Sequence, residues 1–282
     1  MRTFDTSDPI SVKVEIGVGD VRVVATERAD TVVDIQPSDH TNACDVAAAE
    51  QTRVDYANGV LTVSAPLRWT PFARVVGPSL SARKRESIDI KLQVPSGSHL
   101  SVNAALAPLR CSGTLGRCNY RTGAGDVAIG HVSSWLELST GSGSVRVDRV
   151  DGPAKVRNGN GGTWIGEAYG ALEVKAANGR IEVGHVGEAV TAKTANGDIH
   201  LDEVVSGVVV ANTGFGNVDL GVRTGIATWL DLHTGFGHVR NSLDAAERPD
   251  AAEPVIELRA RTSFGDVTVR RAAAGEGDRG AA

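Results

Sequence analysis

One short phrase recurs along the chain and limits what it can fold into more than any other feature. A glycine followed by alternating apolar residues returns at a constant step of 18 residues. A unit this short cannot bury its own apolar face, so neighbouring copies must stack as the coils of a solenoid. The regular copies have their glycine at Gly125, Gly143, Gly161, Gly179 and Gly197, and looser copies follow at Gly216, Gly237 and Gly265.

Each copy predicts two short strands, because apolar residues alternate with polar ones at two places in it. The first strand has apolar residues two and four positions after the glycine, beginning in one copy with Ile181. The second has them eleven and thirteen positions after it, beginning with Val190 in that copy and giving Val208 and Val210 in the next. Each coil is therefore two strands joined by a turn at both ends.

Equivalent positions of successive coils would lie about 4.8 Å apart in a parallel stack. The position before the glycine predicts a ladder of asparagines that continues as an aromatic stack. Two outward columns alternate in charge, which favours this register because opposite charges across strands stabilise by roughly 0.2–1 kcal/mol. The ladder is Asn160, Asn178 and Asn196, then Phe215, Phe236 and Phe264; the charged columns are His131, Arg149, Glu167, His185 and Glu203, and Glu137, Lys155 and Glu173.

Charge and cysteine content narrow the class of protein. Against 34 acidic side chains there are 29 Lys and Arg, and the net charge of -5 argues against nucleic acid as a partner. No apolar run approaches the ~20 residues of a membrane span, and the first residues lack the apolar core of a signal peptide. Three cysteines are too few for a disulfide framework, although Cys111 and Cys118 could face each other. Free thiols in a reducing compartment predict a cytoplasmic protein.

The two ends of the chain depart from the 18-residue rule. We predict an N-terminal β cap over residues 1–100, solenoid repeats over 101–271 and a disordered tail over 272–282. The segment 67–86 fits neither strand pattern and is predicted to be an exposed loop, and a second loop is predicted at 241–254. Strands of the cap are predicted from Ser11 through Val23 and at Thr31–Gln36, Thr52–Tyr56, Val60–Ser64 and Ile88–Val94, with a hairpin turn at Asn58-Gly59.

These phrases resemble a known family. TGAGDV, TGSGSV, TANGDI and SFGDV, the entry segment IDIKLQVPSGSHLSV and the N-terminal IGVGDVRV are similar to the bacterial adhesin-like β-strand-repeat family of unknown function, the domain of unknown function 4097 type. The resemblance covers the chain from about Phe4 to Val269. It implies a right-handed β-solenoid-like fold and no established activity, and it supplies no catalytic residues. Members also resemble this chain in a basic, aromatic-containing insertion before the entry segment.

Enzymatic functions find little support in the motifs. Hydrolysis of glycosidic bonds generally needs two carboxylates at a set separation. The turn column after the glycine never places two carboxylates in adjacent copies. Calcium-binding repeats need a nine-residue period, and hexapeptide acyltransferases need an apolar residue at every sixth position; neither pattern is present. We therefore predict no catalytic, cofactor-binding or metal site. The turn column is Asp126, Ser144, Gly162, Arg180, Asp198, Asn217, His238 and Asp266.

We predict a non-enzymatic scaffold or adhesin-like interaction protein, and the alternative is an enzyme acting on a carbohydrate or another polymer along the solenoid. The 67–86 loop is the predicted contact for a protein partner or a membrane surface, because arginine and aromatic residues together favour interfaces. Self-association through the solenoid ends is a further prediction. An outward Trp164 either covers a neighbouring turn or contacts a ligand. The candidate contacts are Arg68, Trp69, Phe72, Arg74, Arg83, Lys84, Arg85 and Trp164.

Overall fold

Parallel strands in the predicted register build most of the chain. This computed structural model describes residues 1–66, 86–243 and 255–272. Its contacts divide the chain into two units, residues 1–130 and 131–282, and one strand runs across that division. The predicted all-β solenoid is confirmed. The 67–86 loop, apart from Glu86, and the 272–282 tail, apart from Ala272, lie outside the described residues, as does most of the 241–254 loop.

The first unit is organised around β2 (Ser11–Thr26), which forms a coil outside the copies counted at the 18-residue step. β2 pairs in parallel with β7 and β8 along one edge and with β5 and β6 along the other. The antiparallel strands β1, β3 and β4 close the far side of this sheet. The elements are β1 (Arg2–Asp5), β2 (Ser11–Thr26), β3 (Asp30–Pro37), α1 (Ala43–Gln51), β4 (Arg53–Ala57), β5 (Val60–Ser64), β6 (Ser87–Pro95), β7 (His99–Leu106) and β8 (Leu109–Ala124).

The helix α1 was not predicted. Asn42 caps it, because its side-chain oxygen accepts a hydrogen bond from the backbone N–H of Cys44 at 3.1 Å. Asp45, in the first turn, is buried and accepts hydrogen bonds from the backbone N–H groups of Asp39 and Ser87. These hydrogen bonds connect the helix to the start of β6, the first strand after residues 67–85.

The second unit is a stack of two-strand coils. One wall contains the strands β9, β11, β13, β15, β17, β21 and β19 in spatial order, and the other contains β10, β12, β14, β16, β18, β22 and β20. Each coil gives one strand to each wall, except that β9 is continuous and pairs with both β10 and β11. The bounds are β9 (Val127–Ser142), β10 (Val145–Val150), β11 (Ala154–Asn160), β12 (Thr163–Ala168), β13 (Leu172–Asn178), β14 (Ile181–Val186), β15 (Val190–Asn196), β16 (Ile199–Val204), β17 (Val208–Phe215), β18 (Val218–Val222), β19 (Ala227–Phe236), β20 (Val239–Asn241), β21 (Val255–Phe264) and β22 (Val267–Arg271).

The predicted apolar columns fill the space between the two walls. Ile181 and Val183 on β14 and Ala192 on β15 have no exposed surface. Burial of a Val, Ile or Leu side chain contributes about 1.5–3 kcal/mol, and each coil adds several such side chains. The core of this unit is therefore a column of small aliphatic residues with no aromatic side chain among its buried apolar residues in the described part.

The glycine that starts each copy is required by the backbone of the neighbouring coil. Gly179 has φ +145° and Gly197 has φ +144°, conformations that other residues rarely adopt. A Cβ at Gly179 would overlap the carbonyl oxygen of Gly161, and one at Gly197 would overlap that of Gly179. The glycine row is confirmed within the second unit.

One predicted column is displaced by a residue. Val208 and Val210 were predicted to face the core, but Val209 and Ala211 are the buried pair and Val208 is exposed. The register pairs Val209 with Val190, 19 residues earlier rather than 18. The additional residue lies in the turn before β17, where Gly207 has φ +86°, so the alternation shifts as the strand begins.

The order of the last two coils also differs from the chain order. β21 lies between β17 and β19, and β22 lies between β18 and β20. The copy that comes last in sequence is therefore inserted between the two copies before it. The coil of β19 and β20 forms the end of the stack.

Candidate interaction surfaces

Three phenylalanine rings form a row, and each is the last residue of a strand in one wall of the final coils. Phe264 stacks on Phe215 on one side and on Phe236 on the other, with ring centroids 4.9 Å apart in both pairs. The aromatic stack is confirmed, but its central ring is Phe264 and not Phe236, because the last copy is inserted. The rings are 57% exposed at Phe215, 46% at Phe264 and 70% at Phe236. We call this row the Phe stack.

The asparagine ladder extends the same row into the preceding coils. The Nδ2 group of Asn178 donates to Oδ1 of Asn160, and that of Asn196 donates to Oδ1 of Asn178, both at 2.8 Å. Asn196 lies in register with Phe215. The corner of the second unit is thus polar along three coils and apolar along the next three.

Trp164 lies on the outward face of β12 and is half-buried. The guanidinium of Arg146 covers its ring at 3.8 Å from the centroid, and this guanidinium also binds Asp148 at 3.0 Å. Beside the ring is an open groove of about 370 Å³, whose lining includes Gly162 and Arg180. Since Arg180 binds Glu182 at 2.6 Å, the groove combines an aromatic ring with balanced charges.

A charge network crosses the second unit along the predicted column. Arg149 contacts Asp151 at 2.8 Å and Glu167 at 3.4 Å, and its guanidinium lies 4.5 Å from the centre of the Tyr169 ring. Farther along, Glu203 contacts His185 at 2.9 Å and Arg223 at 2.8 Å. Apart from Arg149 with Asp151, which lie in one coil, these pairs link neighbouring coils and so support the register. They do not converge on one point.

Side chains of the turn column accept hydrogen bonds from the backbone of the neighbouring coil. Asp198 accepts a hydrogen bond from the backbone N–H of Asn217 at 2.7 Å, Asn217 accepts one from that of Asp266 at 2.9 Å, and Asp266 accepts one from that of His238 at 2.9 Å. Each side chain therefore fixes the turn of the next coil. In the described ranges, no group of three His, Cys, Asp or Glu side chains is placed to hold a metal ion.

The cysteines are free thiols in the structure. Burial raises the pKa of the Cys118 thiol to about 12 and raises that of Cys111 well above its usual value, with a further increase from Cys118. A thiol of this kind is unreactive because the thiolate is the nucleophile and the metal ligand. Cys111 and Cys118 belong to the core of the first unit.

Seven of the eight predicted contact residues fall outside the described residues. Only Trp164 is placed, and whether it touches a partner stays a prediction. The Phe stack, in contrast, follows from the phenylalanine that precedes the glycine in the last three copies. The spacing predicts that these rings stack, and it does not predict how exposed they are.

These features define a β-strand-repeat solenoid protein with exposed outer columns. The family model described as Toastrack DUF4097 matches residues 8–273. The chain therefore belongs to this family, as the resemblance predicted.

Two solved structures are similar to the chain at low identity. A proposed adhesin from Bacteroides fragilis NCTC 9343 has 15% identity and a TM-score of 0.40, covering 96% of this chain and 95% of that one. A proposed cell adhesion protein from Clostridium sporogenes ATCC 15579 has 9% identity and a TM-score of 0.21, covering 96% and 98%. Both scores are too low to add to the family match. A search among curated proteins finds no match. No helix of the described chain is long and apolar enough to span a membrane.

Proposed function

We propose that this chain is a non-enzymatic, adhesin-like interaction protein that binds a protein partner through the Phe stack. The observation that carries the proposal is the exposure of all three rings, 46% at the least, in one continuous row. Contiguous apolar surface on a soluble protein marks interaction sites, and phenylalanine is enriched in protein interfaces. The apolar row ends where the Asn ladder begins, so the proposed contact is confined to the three coils of the Phe stack.

The stack is suited to binding because it is already ordered. Each ring is held against its neighbour at a centroid distance of 4.9 Å, and the backbone below it is fixed by parallel strand pairing on both sides of β21. Ordering a free side chain on association costs about 0.5–1.5 kcal/mol. Rings that are stacked before the partner arrives avoid most of that cost.

Two further contacts remain part of the proposal. The 67–86 segment supplies Arg83, Lys84 and Arg85 together with Trp69 and Phe72, a combination that suits a protein partner or a membrane surface. Trp164 would add a second aromatic contact in the groove beside Arg146.

We place the protein in the cytoplasm, which agrees with three free cysteines.

The test is affinity capture from the native cell with the intact chain and with Phe215→Ser/Phe264→Ser. The double variant should lose the captured partner, because it removes two of the three rings and leaves the strands of the solenoid wall in place. Asn160→Ser/Asn178→Ser changes the same row on earlier coils and is the matched control, which should keep the partner. Equal capture by all three proteins, each with a native circular dichroism spectrum, would contradict the role of the Phe stack.

A further inference from the structure

The end of the second unit presents an open strand edge. β19 pairs with β21 on one side, and β20 pairs with β22 on one side. Among residues 1–66, 86–243 and 255–272, no strand pairs with the other side of either. Unpaired backbone N–H and C=O groups along a ten-residue strand are a template for pairing with another chain.

The core is also uncovered at this end. Leu230 and Leu232 on β19 face the same way as Leu258 and Ala260, with which they are in register on β21. Leu258 and Ala260 are completely buried, whereas Leu230 and Leu232 are only half-buried. The aliphatic core of the solenoid therefore ends with apolar side chains that are partly exposed to water. Another strand placed against β19 would cover them.

We propose that this end binds a second copy of the chain, with β19 antiparallel to β19 of the partner about a two-fold axis at Leu232. A two-fold contact uses the same surface on both copies, so it must be complementary to itself. Facing Leu232 with itself keeps inward residues opposite inward ones. A shift of the pairing by one residue would put core positions opposite outward positions, which burial forbids.

The side chains of β19 complement each other in this register. Asp231 of each copy lies opposite His233 of the other, a pair of opposite charge when the imidazole is protonated. The exposed Trp229 lies opposite Gly235, where no side chain obstructs the ring, and Leu230 lies opposite Thr234. A two-fold axis at Asp231 would set two carboxylates face to face, so charge favours the axis at Leu232 over that one.

Charged groups on the neighbouring strand are compatible with this arrangement. Asp231 binds Arg261 of β21 at 3.0 Å, and His233 lies in register with Arg261. Two cations are therefore adjacent on this face when His233 is protonated, and the partner's carboxylate would lie beside both.

The same axis passes through both walls. It brings β20 of one copy to β20 of the other, where Val239 is 45% exposed, so the core would continue across the junction. Such an end-to-end contact buries only strand edges and a few side chains, whereas stable complexes typically bury roughly 1,200–2,000 Å². We expect a dimer that dissociates on dilution.

Sedimentation velocity of the full chain over a range of concentrations tests the contact. The wild type should shift from monomer to dimer as concentration rises. Leu232→Lys places two ammonium groups on the axis and should remain monomeric. Thr191→Lys adds the same charge to the outward face of the interior strand β15 and should dimerise as the wild type does. A wild type that stays monomeric throughout, or a Leu232→Lys variant that dimerises equally, would overturn the proposal.

Disulfide trapping tests the register even where a lysine disturbs folding. In a Cys44→Ser background, Leu232→Cys should form a covalent dimer under mild oxidation, because directly opposed residues of antiparallel strands have Cα atoms about 4.5–5.5 Å apart. Leu230→Cys is the control, since Leu230 and its counterpart would be separated by four residues along the strand. Trapping through position 230 and not 232 would show that the register is wrong. Phe215→Ser/Phe264→Ser should not affect dimerisation, so the two proposals can fail separately.

Discussion

At the scale of single residues, the repeat glycines carry the most reliable information in the sequence. They recur because the carbonyl oxygen of the coil below occupies the space of a side chain, as at Gly179. Spacing alone predicts this row. The displaced pair Val209 and Ala211 could not be predicted from spacing, because a step of 19 residues does not say which turn holds the additional one.

Gly179→Ala is expected to lower the free energy of unfolding by about 1–3 kcal/mol, since it forces a strained backbone at φ +145° and a clash with Gly161. The measurement is chemical denaturation monitored by circular dichroism. Gly162→Ala is the control, because nothing lies within 4 Å of a Cβ there. It should change stability by less than about 1 kcal/mol. Equal losses in the two variants would mean that the glycine row is not a steric requirement.

At the scale of elements, the positions of the strands along the chain were largely predictable, whereas the pairing of strands in the final coils was not. Alternation locates β14 or β15 within a residue or two, because each buries one face. The order of the final coils could not be predicted, because the copies around Phe236 and Phe264 have the same sequence pattern. Either copy could therefore pair with β17. Helix α1 has local signals, an asparagine before an alanine-rich run, but the run is short and the strand patterns on both sides of it predict an all-β fold.

The 67–86 segment is expected to contribute to partner or membrane binding. Arg83→Ser/Lys84→Ser/Arg85→Ser should weaken capture of an acidic partner or binding to anionic liposomes, most clearly at low salt, where screening is weakest. Trp69→Ser/Phe72→Ser should weaken binding with less dependence on salt. Partner capture and liposome sedimentation at two salt concentrations measure both. If neither variant differs from the wild type while the fold is intact, this segment is not the contact.

At the scale of the whole molecule, acidic side chains on the second unit link its coils. A hydrogen bond from Arg223, and then one from His185, lowers the pKa of Glu203; one from Lys175 lowers that of Glu173. Burial pushes the pKa of Asp151 upward, but hydrogen bonds from His131 and Arg149 outweigh it and the pKa falls. The sequence predicted two of the columns involved, because their signs alternate with the repeat. It did not show the links along a single strand, such as Arg149 with Asp151.

Stability should therefore decline in acid. A carboxylate whose pKa is lower in the folded state stabilises fully above its unfolded pKa, about 3.9 for Asp and 4.3 for Glu, and loses that contribution as pH falls through the folded value. Urea midpoints of the full chain should be similar at pH 7 and 6 and fall below about pH 4.

Glu203→Gln is expected to lower the free energy of unfolding at pH 7 slightly, by about 1 kcal/mol or less for a partly exposed pair, and the urea midpoint with it. It should also reduce the difference between pH 7 and pH 3, because the titrating group is gone. Glu188→Gln, on an exposed turn, is the control and should leave both values unchanged. A Glu203→Gln variant with the full wild-type pH dependence would show that this carboxylate does not contribute.

The insertion of β21 and β22 between two earlier coils fixes an order of events while the protein is made. Synthesis runs from the N-terminus, so β19 and β20 leave the ribosome before the strands on which they will rest. If β19 settled on β17 at once, it would occupy the place that β21 takes in the finished protein. This end of the solenoid therefore reaches its final order only after β21 and β22 have left the ribosome.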